Sequence, residues 1–154
     1  MSFYKSIKTC LKHILTCPQV VSHKIRGVDI PYSELVTFFR YFPFGKINHD
    51  LTISFYYRKR QIKFFFGELP PLIAPEFSRC DYDWLPVDER TVVDIGAASG
   101  DTPIIFALRN AKNVIGYELN KRYFEMASLN IKLNQLSNKI TLHHCGIAAS
   151  KIQA

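Results

Sequence analysis

The chain has 154 residues, of which 47% are hydrophobic and 21% are charged, and its formal net charge is +7. That length suits one domain, or one domain with an arm, and the composition is that of an ordinary globular protein. Its 12 Phe, 8 Tyr and 1 Trp can form a core, which excludes disorder over the whole chain. No apolar run reaches the ~18 residues of a transmembrane segment. Lysines interrupt the first apolar residues, so we expect no signal peptide and a cytoplasmic protein.

Four cysteines stand at positions 10, 17, 80 and 145. None forms a Cys-x-x-Cys pair, and no Cys and His have the spacing of a zinc finger. His143 and His144 adjoin Cys145, but neighbours on a strand point to opposite faces and cannot chelate one ion together. We therefore expect no metal site, and free, mostly buried thiols in a reducing compartment.

The positive charge is concentrated near the N-terminus. Residues 1–63 contain 11 Lys or Arg against 3 Asp or Glu, residues 64–90 contain 2 against 6, and residues 91–154 contain 7 against 4. Such asymmetry suits an anionic partner, either a nucleic acid or membrane lipid. A solvated face is the commoner reason for a charged run and is the alternative.

The first half of the chain, residues 1–75, predicts an extension of helices and a β-hairpin. Apolar residues at helical spacing over 3–15 predict a helix that ends at Pro18. A second short helix is expected over about 31–42, before the next Pro and Gly.

The hairpin follows that second helix. The runs 51–57 and 61–66 alternate and are rich in β-forming residues, which predicts two strands with a basic tip at residues 58–60. A connector rich in proline and then in acidic residues comes next, with a short helix expected over about 77–85.

Residues 76–154 predict a partial Rossmann-like domain. Strands and helices alternate in the order 91–95, about 102–110, 113–117, about 120–136 and 140–145. This β-α-β-α-β order predicts an α/β fold with a parallel sheet and right-handed crossovers. Asn120 is expected to cap the longer helix.

That longer helix carries two sets of residues with predictable positions. Apolar side chains at helical spacing are expected in the core: Tyr123, Met126, Ala127 and Ile131. Asn130 and Asn134 are one turn apart, and we expect them to face solvent or to cap the helix.

Four residues around the ends of the first two predicted strands of this domain indicate a nucleoside site. Asp94 is near the end of a β-branched strand, and Gly96 and Gly100 flank the loop before a helix. Glycine permits a sharp turn and close approach of a ligand, and the free N–H groups of a helix start favour an anion. Glu118, about twenty residues on, is placed to accept both hydroxyls of a ribose. The glycine spacing fits neither the dinucleotide fingerprint nor a triphosphate-binding loop.

Residues 91–102, Thr-Val-Val-Asp-Ile-Gly-Ala-Ala-Ser-Gly-Asp-Thr, together with Glu118, resemble the S-adenosylmethionine site of class I methyltransferases. More narrowly, the chain is similar to the FkbM family of methyltransferases over about residues 76–149. The further segments that carry this similarity are 82–86, 106–111, 114–118 and 130–134. The resemblance implies a Rossmann-like fold, S-adenosyl-L-methionine as cofactor, and methyl transfer that we expect to be to oxygen.

The resemblance also implies a position for each candidate site residue. The residues expected at the methionine end of the cofactor, largely through their backbone, are Asp94, Gly96, Ala97, Ser99, Gly100 and Asp101. Those expected around its ribose and adenine are Glu118, Leu119, Cys145 and Gly146. Gly100 would allow close approach, and Glu118 would accept the ribose hydroxyls. No catalytic residue is assigned, because no candidate base is recognisable.

A class I methyltransferase has seven strands, and by the resemblance this sequence supplies three after residue 90. We therefore expect a truncated chain that holds the cofactor-binding half. Its first strand would be an apolar edge, which a second copy, a partner chain or the hairpin would cover, so we expect association or low solubility.

Three functions remain open. The first is an S-adenosylmethionine-dependent methyltransferase or its cofactor-binding portion, with an unknown methyl acceptor. The second is an inactive remnant that binds cofactor or a partner chain. The third is a protein that binds or modifies nucleic acid through its basic N-terminal half.

Overall fold

The structure, a computed structural model, describes residues 22–25, 28–48, 50, 52–65, 73–79 and 81–148. Its elements, in chain order, are β1 (Ser22–Ile25), β2 (Val28–Pro31), α1 (Tyr32–Tyr41), β3 (Lys46–Ile47), β4 (Thr52–Tyr57), β5 (Arg60–Phe65), α2 (Ile73–Arg79), β6 (Thr91–Ile95), α3 (Asp101–Leu108), β7 (Asn113–Tyr117), α4 (Lys121–Leu133) and β8 (Ile140–His143). The helix predicted over 3–15 and the cysteines at 10, 17 and 80 lie outside the described residues. None of the described helices has the length and apolar character needed to cross a bilayer.

Two antiparallel sheets precede the parallel part of the fold. β1 pairs with β2, and β3, β4 and β5 form a second sheet in that order. The predicted hairpin is confirmed, since β4 and β5 pair from Thr52↔Phe65 to Tyr57↔Arg60. Arg58 and Lys59 alone form its turn, with φ of 47° and 67°. The connector helix lies earlier than predicted, at α2, because 81–84 form turns instead.

An aromatic core joins this sheet to the two helices beside it. Phe55 of β4 stacks on Phe42 with ring centroids 4.1 Å apart, and it meets Phe77 of α2 edge to face at 5.2 Å. Phe38 of α1 and Phe64 of β5 are also buried against Phe55. Aromatic pairs of this kind contribute about 0.5–1.5 kcal/mol each beyond their buried area. The helices and the hairpin are thus packed as one unit.

The second half confirms the predicted α/β fold. β6, β7 and β8 form a parallel sheet in that order, and the crossovers are α3 and α4. Asn120 caps α4 as predicted, accepting hydrogen bonds from the N–H groups of Arg122 and Tyr123. Among the described residues β6 is an edge strand. Its Val93 and Ile95 are 56% and 66% exposed, which leaves an apolar sheet face open.

Two expectations for α4 are wrong in whole or in part. Asn134 caps the C-terminal end of α4, which was one of the two alternatives expected for it. Neither Asn134 nor Asn130 faces solvent, because both side chains are buried and bind the backbone of β5. The Asn130 Oδ1 accepts from the Phe65 N–H at 2.8 Å. The Asn134 amide accepts from the Lys63 N–H at 2.9 Å and donates to the Lys63 carbonyl at 2.7 Å. These bonds satisfy groups of β5 on the side where no other described strand pairs with it, so α4 covers that edge of the hairpin sheet.

The second wrong expectation concerns Tyr123, which is 39% exposed rather than buried. It lies in the first turn of α4, beyond the carboxyl end of β7, where the sheet no longer covers the helix. The other apolar residues predicted for the core are buried as expected: Met126, Ala127 and Ile131.

The loop before β6 is fixed by an arginine from α3's end. Arg109 donates to the carbonyl oxygens of Tyr82, Asp83 and Leu85, the last at 2.7 Å. The Tyr82 ring meets Phe106 at 5.7 Å. This loop therefore enters β6 from a defined position. The division of the chain at residues 75 and 76 stays a prediction, because the buried core runs without a break from Phe38 to Ile140.

Candidate functional site

The candidate residues lie at the carboxyl edge of the parallel sheet. The register pairs Ile95 with Tyr117, and Tyr117 with His143, so the three strands end side by side. The residues that follow each strand are consequently neighbours. Open α/β sheets bind their ligands at this edge.

Gly96 forms a sharp turn directly after β6. Its φ is +86°, and a Cβ added there would meet no atom within 4 Å. Its N–H and that of Ala97 both donate to the Tyr117 carbonyl, at 2.9 and 3.0 Å. A ligand at this loop would thus contact the open Cα side of Gly96, because these two N–H groups are already hydrogen-bonded within the fold.

Glu118 is a buried carboxylate that holds the loop in place. Its Oε2 accepts from the Ala98 N–H at 2.9 Å, and its Oε1 accepts from the Asn120 N–H at 2.7 Å. A carboxylate has about four lone-pair sites. Two of them are occupied here, so each oxygen retains capacity for one further donor. That is the capacity needed to accept a pair of vicinal hydroxyls.

Asp94 is the second carboxylate at the edge. Its Oδ2 accepts a hydrogen bond of 2.6 Å from the Thr102 hydroxyl in the first turn of α3. Burial raises the pKa of Asp94, the Thr102 bond opposes that rise, and the negative charge of Glu118 adds to it. The carboxylates of Asp94 and Glu118 together create a negative field at this edge of the sheet, which favours a cationic or hydroxyl-bearing ligand.

Ser99 and Asp101 are turned into the protein. The Ser99 hydroxyl donates to the Asp101 Oδ1 at 3.0 Å, and both residues are buried. Burial raises the pKa of Asp101 to about 6, although hydrogen bonds from the N–H groups of Asp101 and Thr102 act in the opposite direction. Asp101 is therefore a buried support of the loop, and its raised pKa favours the protonated form over a wider pH range than for an exposed carboxyl.

Gly100 is packed against α4. Its φ is +84°, and an added Cβ would lie 3.1 Å from the Cα of Ala127. The space that a side chain would need at Gly100 is filled by the α4 backbone. Gly100 is therefore needed for the close packing of α4 against the loop, and its contact with a cofactor stays a prediction.

The residues expected near an adenine lie together and are exposed. His144 contacts the Leu119 carbonyl at 3.1 Å, and an added Cβ at Gly146 would lie 3.6 Å from the Leu119 side chain. Cys145 is a free, exposed thiol. The loops after β7 and β8 therefore share one surface, whose apolar part is Leu119.

Two further residues support the site and were not among the predicted ones. Thr102 orients Asp94, as described above. Asn130 donates from its Nδ2 to the Ser99 carbonyl at 2.9 Å, while its Oδ1 binds β5. A polar side chain on the apolar face of a helix was the only sequence signal for Asn130. In the described part of the chain, no group of three or more His, Cys, Asp or Glu is arranged to hold a metal ion.

No family profile matches the chain, and no curated protein matches it. Solved structures match parts of it. A protein assigned as an S-adenosylmethionine-dependent methyltransferase from Listeria monocytogenes is 26% identical over 46% of this chain and 32% of its own, with a TM-score of 0.38. A protein assigned as an RNA methyltransferase from Pyrococcus horikoshii is 23% identical over 51% and 39%, with a TM-score of 0.41. A protein assigned as a transferase from the same organism is 20% identical over 64% and 38%, with a TM-score of 0.47.

The matched region is thus only part of each of those proteins. The chain covers between 32% and 39% of their lengths. Any activity of a whole methyltransferase is consequently a proposal for this chain.

Proposed function

We propose that the carboxyl edge of β6, β7 and β8 binds S-adenosylmethionine, and that the chain is a methyltransferase or the cofactor-binding portion of one. The observation that carries the proposal is the arrangement of Glu118 beside Gly96. Two backbone N–H groups hold the buried carboxylate in place, and the adjacent glycine leaves open space beside the turn. A preorganised acceptor next to an open backbone fits a ribose with its two hydroxyls.

The proposed contacts follow from what each residue still has available. Glu118 accepts the ribose hydroxyls, and Leu119 provides an apolar surface for the adenine, with Cys145 and Gly146 at its edge. Asp94 and the open side of Gly96 receive the methionine end, whose ammonium group suits the negative field of the two carboxylates. Three further residues act from within by fixing the loop: Ala97, Ser99 and Asp101.

The cofactor supplies an activated methyl group on a positively charged sulfur. The chain's own contribution is to bind and orient that cofactor, which is the larger part of what a protein does in this chemistry. We propose an oxygen atom as acceptor and assign no catalytic base. Membership of the FkbM family stays a prediction, as does a lack of strands that the family carries beyond β8.

Calorimetry with S-adenosylhomocysteine tests the cofactor site. We expect the native chain to bind, and Glu118→Ala to bind at least about tenfold more weakly because a charge-assisted bond to each hydroxyl is lost. Glu125→Ala is the matched control, since Glu125 is a carboxylate on the exposed side of α4. Failure of the native chain to bind would refute the proposal, as would equal losses in both variants.

A methyl-transfer assay then separates an enzyme from an inactive remnant. Transfer of label from S-adenosylmethionine to an acceptor, lost in Glu118→Ala but kept in Glu125→Ala, would support an enzyme. Cofactor binding without transfer to any acceptor offered would favour the remnant.

A further inference from the structure

A cavity lies at the edge of the parallel sheet opposite the candidate site, where the hairpin tip meets the residues that lead into β7 and β8. Its volume is about 290 Å³. Three of its lining side chains are cationic: Arg58, Arg60 and Lys139. Alanine and leucine side chains at the end of α3 and Leu136 form its apolar wall.

Two of those cations form no ion pair with another described residue. Arg60 donates from one nitrogen to the Asn134 carbonyl at 3.0 Å, and Lys139 contacts the Ala111 carbonyl at 3.4 Å. Neither takes part in the ion pairs of the described residues. An arginine has five N–H donors and a lysine has three, so most of their donors remain available to a ligand.

The carboxylates near the cavity already have partners. Asp83 pairs with Arg58 at 2.9 Å and with Arg109 at 3.6 Å. Asp88 and Glu89 both accept from the side-chain amide of Asn110, at 2.9 and 2.6 Å. The amide of Asn110 is neutral, so Asp88 and Glu89 keep their negative charge. Among the described residues, the lining of the cavity itself contains three cationic side chains and no carboxylate.

The hairpin tip adds cations at a cost in backbone strain. Its two turn residues, Arg58 and Lys59, both have positive φ, a conformation that hairpins normally give to Asn and Gly. Residues kept in such a conformation tend to mark functional positions. Both strained positions carry a positive charge, and Arg58 is one of the residues that line the cavity.

We propose that this cavity binds a phosphate group. The guanidinium of Arg60 and the ammonium of Lys139 receive its oxygens, and the tip cations attract it. A phosphate of this kind comes either from a nucleic-acid strand or from a free phosphate compound. The site lies at the far edge of the sheet from the proposed cofactor site, and it does not depend on that proposal.

Two probes distinguish the sources. Pyrophosphate, measured by calorimetry, represents a free phosphate compound, and a short fluorescent oligouridine, measured by anisotropy over a salt series, represents a strand. Binding of either probe supports the site, and the one that binds identifies the source. Absence of binding by both at low salt would overturn the proposal.

Lys139→Gln is the main variant. Among the described residues, the Lys139 side chain makes one hydrogen bond, which is long at 3.4 Å, so we expect the variant to fold. We expect binding to weaken about tenfold, with a shallower salt dependence for the strand. Lys121→Gln removes the same charge at the other edge of the sheet and should change binding less than about twofold. Equal effects of the two variants would overturn the proposal, because they would show a general charge effect.

Lys59→Gly separates binding from folding. Glycine relieves the positive φ, so the midpoint of thermal unfolding should rise while phosphate binding weakens. Lys59→Arg keeps both the charge and the strain and should bind as the native chain does. A Lys59→Gly variant that binds as tightly as the native chain would exclude the tip from the site.

Discussion

Asn130 links three parts of the protein, and its replacement by alanine should be the most damaging single polar change in α4. Its side chain is fully buried. It accepts from the Phe65 N–H of β5 at 2.8 Å and donates to the Ser99 carbonyl of the candidate site at 2.9 Å. Alanine leaves both of these backbone groups without their hydrogen-bond partner.

The expected loss follows from those two groups. A buried backbone group without a partner costs about 1–3 kcal/mol. Two such groups give a loss of about 2–6 kcal/mol in the free energy of unfolding. With a urea dependence of about 2 kcal/mol/M, the midpoint should fall by roughly 1–3 M.

Urea unfolding followed by circular dichroism measures this loss. Asn138→Ala is the matched control, since Asn138 is exposed on the loop before β8 and its replacement should shift the midpoint by less than about 0.3 M. A shift for Asn130→Ala as small as that of the control would refute the reasoning, because it would mean that β5 does not depend on α4.

Three further variants probe the site and the open edge. Asp101→Asn should abolish the loss of stability that the native chain shows as pH rises from about 4 to about 6. The raised pKa of Asp101 favours its protonated form in the fold, so the native free energy of unfolding should fall relative to the variant by about 3 kcal/mol over that range. Equal pH profiles would contradict it. Gly96→Ala should lower the free energy of unfolding by about 1–2 kcal/mol because of the positive φ, and it should weaken S-adenosylhomocysteine binding. Gly100→Ala should destabilise the fold more, because its new Cβ also meets Ala127. Chemical unfolding and calorimetry compare the two variants, and the reverse order of stability would be inconsistent with the packing. We expect the native chain to associate at ~100 μM in light scattering, and Val93→Lys to associate less. A native chain that is monomeric at that concentration would disprove association through the exposed edge of β6.

Local sequence patterns were sufficient for the hairpin and for the elements of the parallel sheet, but not for β1, β2 and β3 or for the position of α2. The β-branched run of β6, the glycine turn after it and the cap at Asn120 each act within a few residues. Parallel strands necessarily end at one edge, so Gly96 and Glu118 could be placed together without a structure.

Contacts between distant residues could not be predicted in this way. The bond from the Phe65 N–H to Asn130 spans 65 positions along the chain. An asparagine spacing of one turn is the same whether the side chains face water or a strand, and only the position of the hairpin decides between them. For the same reason, the sequence could not distinguish Gly100, which packs against Ala127, from Gly96, which forms an open turn.

Hydrogen exchange with and without S-adenosylhomocysteine tests the proposed site most directly, because it locates binding along the chain. The account predicts that the ligand slows exchange in segments 96–102, 118–121 and 143–147 and leaves the exchange rates of the hairpin, β4 and β5, unchanged. No protection at saturating ligand, or protection confined to the hairpin, would contradict a cofactor site at the carboxyl edge of the sheet.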